Sequence, residues 1–446
     1  MKIRQVIVLD DRSQAVKSFL SDLEQLGLQI SPDSSLKPVS QDQILIGNSD
    51  DLSYQAVSTI RRALDLGCYV LLDPQRFPDI LDEIKQTGSV SENNQKRLDA
   101  YALYKCIESD ITLLASRQGS MPEFMVTAYE KVQDLRYGEN WHQKAALYRN
   151  RRGFGLYKSA KLNGREMSYN NVVDAETVLE MLIDLSEYDE VKVDKALCVI
   201  VKHANPCGVA YGLDLEAAYR ASFATDPKSA FGGVIGFNRT VDVKTARAIG
   251  DSFVEVLLAP GYDPEALLLL TEKKPNRRIL DVGDLLSRKK ELYTGQFVKG
   301  VFDGLLVQDY DTEDIKEWRV VTKRKPTDPE VRGLRFAWKV AKYVKSNALV
   351  YTTQDRTIGI GSGQVSRVDS ARFGAEKAAE HGLSTKGTVA ATVSFFPFRE
   401  GLEETYRAGA TAVVHPGGSI RDAEVIQAAD EYEMAMVFTG MRHFRH

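Results

Sequence analysis

No run of about eighteen apolar residues occurs in this 446-residue chain, so a membrane-spanning helix is not expected. The opening MKIRQVIVLDD holds a short strand-like run without the longer apolar segment or small-residue cleavage site of an export signal, and export is not expected either. Charge of one sign is not in excess. The 58 lysines and arginines face 62 aspartates and glutamates, a formal net charge of -4. Such a balance supplies no bulk field for nucleic acid, so any phosphate recognition must be local. The four cysteines, Cys68, Cys106, Cys198 and Cys207, are too sparse for a disulfide framework, which suits a reducing cytoplasm. Histidine is missing from the first 90 residues. Neither GxGxxG nor GxxxxGK[ST] follows the first strand, so nothing marks a dinucleotide or P-loop site.

What is present is a chain with 43% hydrophobic residues, enough for two or three domains with full cores. Residues 4–10 read as a strand, followed by an amphipathic helix through QAVKSFLSDLEQLG, and this alternation continues to residue 86 as a small α/β domain. Asp10 and Asp11 end the first strand, where they serve as caps or solvated charges or bind a cation; no third ligand stands nearby. Residues 90–132 read as mainly helical, interrupted by RQGSMPEF. From residue 133 helices alternate with short β-branched strands to MAMVFTG at 434–440, with no internal repeat visible in the sequence. The basic clusters KKPNRR (273–278) and TKRKPTD (322–328) lack interleaved aromatics and read as solvated faces.

The segment VKHANPCGV (201–209) leaves the apolar strand Ala196 to Val201 with Lys202 and His203 side by side. Strand exits are where open α/β sheets build their sites. An ammonium beside an imidazole favours the neutral ring that a general base needs, and it stabilises developing negative charge. The alternative is a surface salt-bridge pair. Arg136 and Tyr137 in DLRYGENWHQ (134–143) offer an anion fork and a ring cover, or form a structural turn. In DPKSAFGGV (226–234), Gly232 and Gly233 let backbone approach a ligand. Glu255 lies in the apolar strand FVEVLLAP (253–260) and needs polar partners, such as ribose hydroxyls, unless that edge is exposed. A helix over 331–344 ends at Lys345, Ser346 and Asn347, whose amide can orient an amide or amine. TIGIGSGQVSR (357–367) reads as a tight loop presenting Gln364, Ser366 and Arg367 for anion capture. SFFPFRE (394–400) is one wall of a slot for a flat ring, or plain core. HPGGSIRD (415–422) places Ser419 at a strand-to-helix junction, and the terminal TGMRHFRH carries Arg442 behind an anchoring strand. Zinc is disfavoured: HANPC has Asn205 at the glutamate position of the zinc deaminase pattern and lacks its second cysteine, and Cys198 reads as a small core residue.

Taken in order, DLRYGENWHQ, VKHANPCG, SAFGG, VTKRKPT, VAKYVKSNA, IGIGSGQVSR, FFPFR, PGGSIRD and MRHFRH resemble the transformylase part of the bifunctional purine-biosynthesis enzymes. Those enzymes formylate 5-aminoimidazole-4-carboxamide ribonucleotide (AICAR) with 10-formyltetrahydrofolate. The resemblance is strong over residues 130–446 and looser before them. It implies an α/β chain with a small methylglyoxal-synthase-like domain at 1–90, a helical linker at 91–132, and two cytidine-deaminase-like α/β/α domains without catalytic zinc at 133–300 and 301–446. It implies a homodimer with active sites at the interface, a cytoplasmic location, and neither nucleic acid nor membrane as partner. By the same resemblance His203 is the general base, Lys202 assists the transition state and Asn347 holds the carboxamide. Arg136, Tyr137, Gly232, Glu255, Asn347, Arg367, Phe395 and Arg442 match positions that hold AICAR, while Glu400, Ser419 and Ile420 match positions near folate. No metal is implied.

Three departures from the family are plain. It often has Asp where this chain has Glu400, and SDAFFPF where this chain has TVSFFPF, so Val393 replaces an acidic residue. The family's ring-closing domain is marked by KTLHP, NLYPF and IDIGG, none of which occurs here. Residues 1–90 therefore resemble a remnant of that domain without cyclohydrolase activity, leaving a separate IMP cyclohydrolase as a further partner. Two other readings compete with the enzyme: a nucleotide-binding protein without turnover, and a structural partner subunit.

Overall fold

Gln5–Val8 and Gln43–Ile46 are apolar at all but their first positions, the pattern of strands covered on both faces. Both are central in a four-stranded parallel sheet ordered Gln29–Ser31, Gln5–Val8, Gln43–Ile46, Tyr69–Leu71. The structure is a computed structural model describing residues 3, 5–9, 13–31, 43–47, 52–150, 154–186, 195–272 and 274–446, so the Asp10–Asp11 pair lies outside the described residues. It divides into two units, Met1–Glu130 and Lys131–His446. In the first unit, helices Gln14–Gln25 and Tyr54–Asp65 begin at Ser13 and Ser53, whose hydroxyls accept from the Val16 and Ala56 amides. The helix Glu92–Ala115 stops well short of residue 132, because Gly119 and Pro122 cannot continue it; the next regular element is the strand Glu130–Leu135. Among the described residues no helix is long and apolar enough to cross a membrane.

The second unit holds two six-stranded sheets of the same design. The first runs in the order Ala160–Asn163, Arg278–Asp281, Val256–Ala259, Val234–Phe237, Ala196–Lys202, Asn205–Gly212. The second runs Arg319–Val320, Ala435–Phe438, Ala412–His415, Val389–Ala391, Leu349–Thr352, Thr357–Gly361. Each is an antiparallel hairpin beside three parallel strands, closed by an antiparallel edge. The chain therefore contains an architectural repeat that its sequence does not display. Period-two alternation divides each strand between two cores. Leu197, Val199 and Val201 face a core shared with Val350, Val414 and Val437 of the other sheet, with helices Tyr169–Ser186 and Asp328–Ala341 packed in it. Ala196, Cys198 and Ile200 face a separate layer on the opposite side. The hairpin edges of the two sheets meet where Ala210 bridges Arg356 and the Val209 N–H donates to Thr357 Oγ1 at 3.0 Å.

Three local readings change. The helix expected over 331–344 spans Asp328–Ala341, because Thr327 and Glu330 form a capping box with Pro329 in the first turn. Gly359 and Gly361 are strand residues rather than parts of a loop: a Cβ on them would lie 2.2 Å from the Gly374 carbonyl oxygen and 2.0 Å from that of Ser370. Those glycines let the strand touch the backbone of helix Arg367–Glu380. In the cluster at 273–278 the two arginines depart from the solvated-face reading. Arg277 and Arg278 are buried, Arg277 donating to the carbonyls of Leu270, Gly250 and Ser252.

Between the two central helices Asp184 is buried, with Lys342 Nζ at 3.0 Å, Lys289 Nζ at 3.2 Å and the Tyr343 hydroxyl at 2.9 Å. Burial alone would raise its carboxyl, but the ammonium groups of Lys342, Lys339 and Lys289 outweigh it and hold the group well below the usual carboxylate range. A depressed folded value means that this stabilisation is complete above the ordinary carboxylate range and is lost as pH falls through and below it. Asp184→Asn is expected to leave buried ammonium groups uncompensated and cost about 3 kcal/mol, read as a lowered urea midpoint at pH 7. An unchanged midpoint would contradict this account.

Candidate active site

Lys202 ends one strand, Asn205 begins the next, and the two pair directly, leaving His203 and Ala204 as a two-residue hairpin turn. Both have φ of 55°. Two left-handed residues in succession suit a tight hairpin, but Asn-Gly or Gly-Gly normally fills it. For His and Ala the conformation costs roughly 1–2 kcal/mol per residue. The compensating group is Asp174, on helix Tyr169–Ser186, which sequence reasoning missed. Its Oδ2 accepts from the His203 N–H at 3.2 Å and its Oδ1 from the Ala204 N–H at 2.7 Å. Burial pushes the Asp174 carboxyl up, while the two turn amides and neighbouring His203 and Lys202 pull it the other way. Its sequence signal is an aspartate four residues before Val178 and eight before Leu182, on the buried stripe of a helix.

The turn exposes the His203 ring and aims Lys202 at the SAFGG segment, where its Nζ donates to the Phe231 carbonyl at 2.7 Å. Gly232 follows with φ of 72°, its N–H on the Phe253 carbonyl at 2.8 Å; a Cβ there would press on the Phe253 ring at 3.2 Å. Only glycine adopts this turn without strain. Glu255 donates its N–H to Gly233 at 3.0 Å and sits just before the strand Val256–Ala259, not inside it. Its partner is a protein group: Arg278 Nη1 lies 2.6 Å from Glu255 Oε2. Glu255 and Arg136 line one cleft of about 460 Å³ with Phe253 and Arg165. The Arg136 guanidinium lies over the Tyr137 ring at 4.8 Å.

A second cleft of about 250 Å³ is lined by Lys202, His203 and Asn205 from the first sheet's hairpin and by Ile360, Ser362 and Lys377 from the other half. Asn205 Oδ1 accepts from the Lys345 N–H at 3.0 Å, tying the turn to the segment that carries Asn347. Asn347, with φ of 61°, donates to the Gln364 and Val365 carbonyls at 2.8 Å and accepts from Arg367 Nη2 at 3.2 Å. Arg367 also donates to the Phe395 carbonyl, and burial lowers its guanidinium to about 10. Arg136 lines the first of these clefts and Arg367 lines neither.

The positions expected near folate, Glu400, Ser419 and Ile420, form a third neighbourhood. Glu400 lies in the first turn of the helix Arg399–Arg407, and Ser419 and Ile420 precede the helix Asp422–Glu431. The two segments meet where Arg421 lies over the Phe398 ring at 4.7 Å. In SFFPFRE the core reading holds for Phe396, which is fully buried against His415, whereas Phe398 is exposed and Phe395 is half-buried. Arg442 is exposed on the terminal segment, which is anchored by His443 N–H on the Val393 carbonyl at 3.3 Å and by Ser346 N–H on the Arg445 carbonyl at 3.0 Å. Val393 itself is fully buried in the shared core.

Among the described residues no group of three His, Cys, Asp or Glu side chains is placed to hold a metal ion. The thiols near the turn are poor ligands on chemical grounds, since burial pushes Cys207 up to about 12 and Cys198 higher still, away from the thiolate that zinc requires. No disulfide joins the four buried cysteines.

The profile of the AICARFT/IMPCHase bienzyme family matches residues 67–377. The bifunctional purine biosynthesis protein PurH of Persephonella marina is 44% identical over 388 residues, spanning 84% of this chain and 73% of that one. PurH of Chloroflexus aurantiacus is 45% identical over 380 residues, spanning 84% and 71%. With the Lys202–His203 turn in place and identity sustained over that length, the chain belongs to the AICARFT/IMPCHase bienzyme family.

Proposed function

We propose that the protein transfers the formyl group of 10-formyltetrahydrofolate to the 5-amino group of AICAR, giving the formamido ribonucleotide FAICAR on the way to inosine monophosphate. Besides family membership, one observation supports this most: a strained turn presents His203 and Lys202 together at a cleft mouth, with Lys202 Nζ fixed on the Phe231 carbonyl. The amine is a weak nucleophile because its lone pair is delocalised into the imidazole carboxamide. His203 takes its proton as nitrogen attacks the formyl carbon, and Lys202, with two ammonium N–H groups beyond the Phe231 bond, stabilises the oxyanion. Collapse breaks the bond to folate N10, which leaves protonated. No covalent enzyme intermediate is required. Arg136, Tyr137, Gly232, Glu255, Asn347, Arg367, Phe395 and Arg442 hold the ribonucleotide; Glu400, Ser419 and Ile420 contact folate.

We read the repeated sheets as two cytidine-deaminase-like domains without catalytic zinc, over residues 133–300 and 301–446. The first unit is read as a methylglyoxal-synthase-like remnant over 1–90, joined by residues 91–132. The working form is read as a homodimer, as the family resemblance implies, with Arg136 and Arg367 facing one nucleotide although neither of the two clefts described above is lined by both. The hairpin Gln296–Val301 and Gly304–Asp309 belongs to neither large sheet and exposes Phe302, Leu305 and Leu306, an apolar surface suited to a second copy. The four buried thiols fit a cytoplasmic location.

Purified protein with AICAR and 10-formyltetrahydrofolate is expected to release FAICAR, with formate as the comparison donor. Nucleotide binding without turnover would replace this reading with a non-catalytic binding protein; neither would indicate a structural subunit. Ring closure is expected to be absent, since the family match begins at residue 67, the first 90 residues carry no histidine, and KTLHP is missing. Purified FAICAR should yield inosine monophosphate no faster than the buffer background, and enzymatic conversion would refute the remnant reading.

A further inference from the structure

Asp174 is buried, yet the groups it serves belong to a turn in which His203 is exposed and Ala204 half-buried. Among the described residues its carboxylate receives hydrogen bonds from two donors, the backbone N–H groups of His203 and Ala204. Withdrawing a carboxylate from water without a cation in direct contact is costly, and a partly exposed turn could satisfy the same amides with solvent. What solvent cannot do is fix both amides toward one point on the helix Tyr169–Ser186, which is itself locked into the shared core by Val178 and Leu182. The two oxygens of a carboxylate accept convergent N–H groups, and consecutive left-handed residues direct their amides to one side. The turn therefore holds a conformation that His203 and Ala204 disfavour on their own.

We infer that Asp174 is a positioning residue for formyl transfer, fixing the His203 imidazole and the Lys202 ammonium at the cleft through the backbone of the turn that joins them. This inference rests on the function proposed above. Released from Asp174, the turn relaxes toward right-handed or extended backbone, and the His203 ring and Lys202 Nζ lose their common orientation.

The test uses the full chain. Asp174→Asn retains one acceptor oxygen but turns an NH2 group toward the second amide. It is expected to lower kcat about tenfold to a hundredfold, with the KM for AICAR nearly unchanged. Ala204→Gly removes the conformational penalty at one turn position, so adding it to Asp174→Asn is expected to restore most of the lost kcat. A structural role without positioning would lower the melting temperature and active fraction without that recovery. Unchanged kcat in Asp174→Asn, or a loss that Ala204→Gly does not relieve, overturns the inference. Should Asp174→Asn fail to fold, amide exchange in the unsubstituted protein decides: the His203 and Ala204 amides should be protected despite their partly exposed turn, and fast exchange overturns the proposal. Lack of turnover by the unsubstituted protein would instead sink the function, leaving the exchange result to stand on its own.

Discussion

His203→Ala is expected to lower kcat by about 10²–10⁴-fold while AICAR still binds, because general-base transfer is lost but the phosphate and ribose contacts remain. Alanine at 203 occupies the same left-handed position that Ala204 already occupies next to it, so the backbone of the turn should persist. Lys202→Ala is expected to cost about 10²–10³-fold, since it removes a cation aimed at charge that develops only in the transition state. The double substitution should cost little more than the worse single one, because the two groups act in the same proton and charge movement. Isothermal titration with AICAR and steady-state rates with 10-formyltetrahydrofolate supply both readings. If His203→Ala kept more than about a third of wild-type kcat, the assignment of the base would fail.

Gly208→Ala is the second large effect, and it falls on stability. Gly208 lies within the strand Asn205–Gly212, where a Cβ would stand 1.9 Å from the Ser222 carbonyl oxygen. No rotamer relieves a clash between Cβ and backbone, so either the strand or the helix Leu215–Phe223 must move. The expected cost is about 3 kcal/mol or more, at the upper end of overpacking effects. Because the same strand carries Asn205 and its bond to the Lys345 amide, activity should fall along with the urea midpoint. A variant with the wild-type midpoint would mean that the close approach of strand and helix is not maintained in solution.

Gly208 shows how far the sequence could be read. Nothing in VKHANPCG records why position 208 is glycine: its conformation is ordinary and its role is to admit a helix backbone. Gly361 and Gly359 do the same against Ser370 and Gly374 in the second half, which accounts for two of the three alternating glycines of TIGIGSGQ. Lys202 and His203 were legible because two polar groups at the end of a six-residue apolar run are unusual wherever they fold. Asp174 and Arg278 were not, because their partners stand 29 and 23 residues away and no local pattern records which buried charge meets which amide or carboxylate. Glu255 was recognised as needing a partner, but only the register between Val256–Ala259 and Arg278–Asp281 identifies that partner as Arg278.

By itself the sequence determined the α/β alternation, the lack of an apolar run long enough for a membrane-spanning helix, the motif series and the strand exit that carries Lys202 and His203. Each of these follows from short-range periodicity and residue chemistry. Tertiary structure decided that residues 131–446 fold as two copies of one sheet design, because topology is carried by the order of strand pairing and survives replacement of nearly every side chain. It also decided the shape of the turn. A histidine and an alanine hold left-handed backbone where a buried carboxylate from a helix meets both of their amides, and that convergence exists in space, not along the chain.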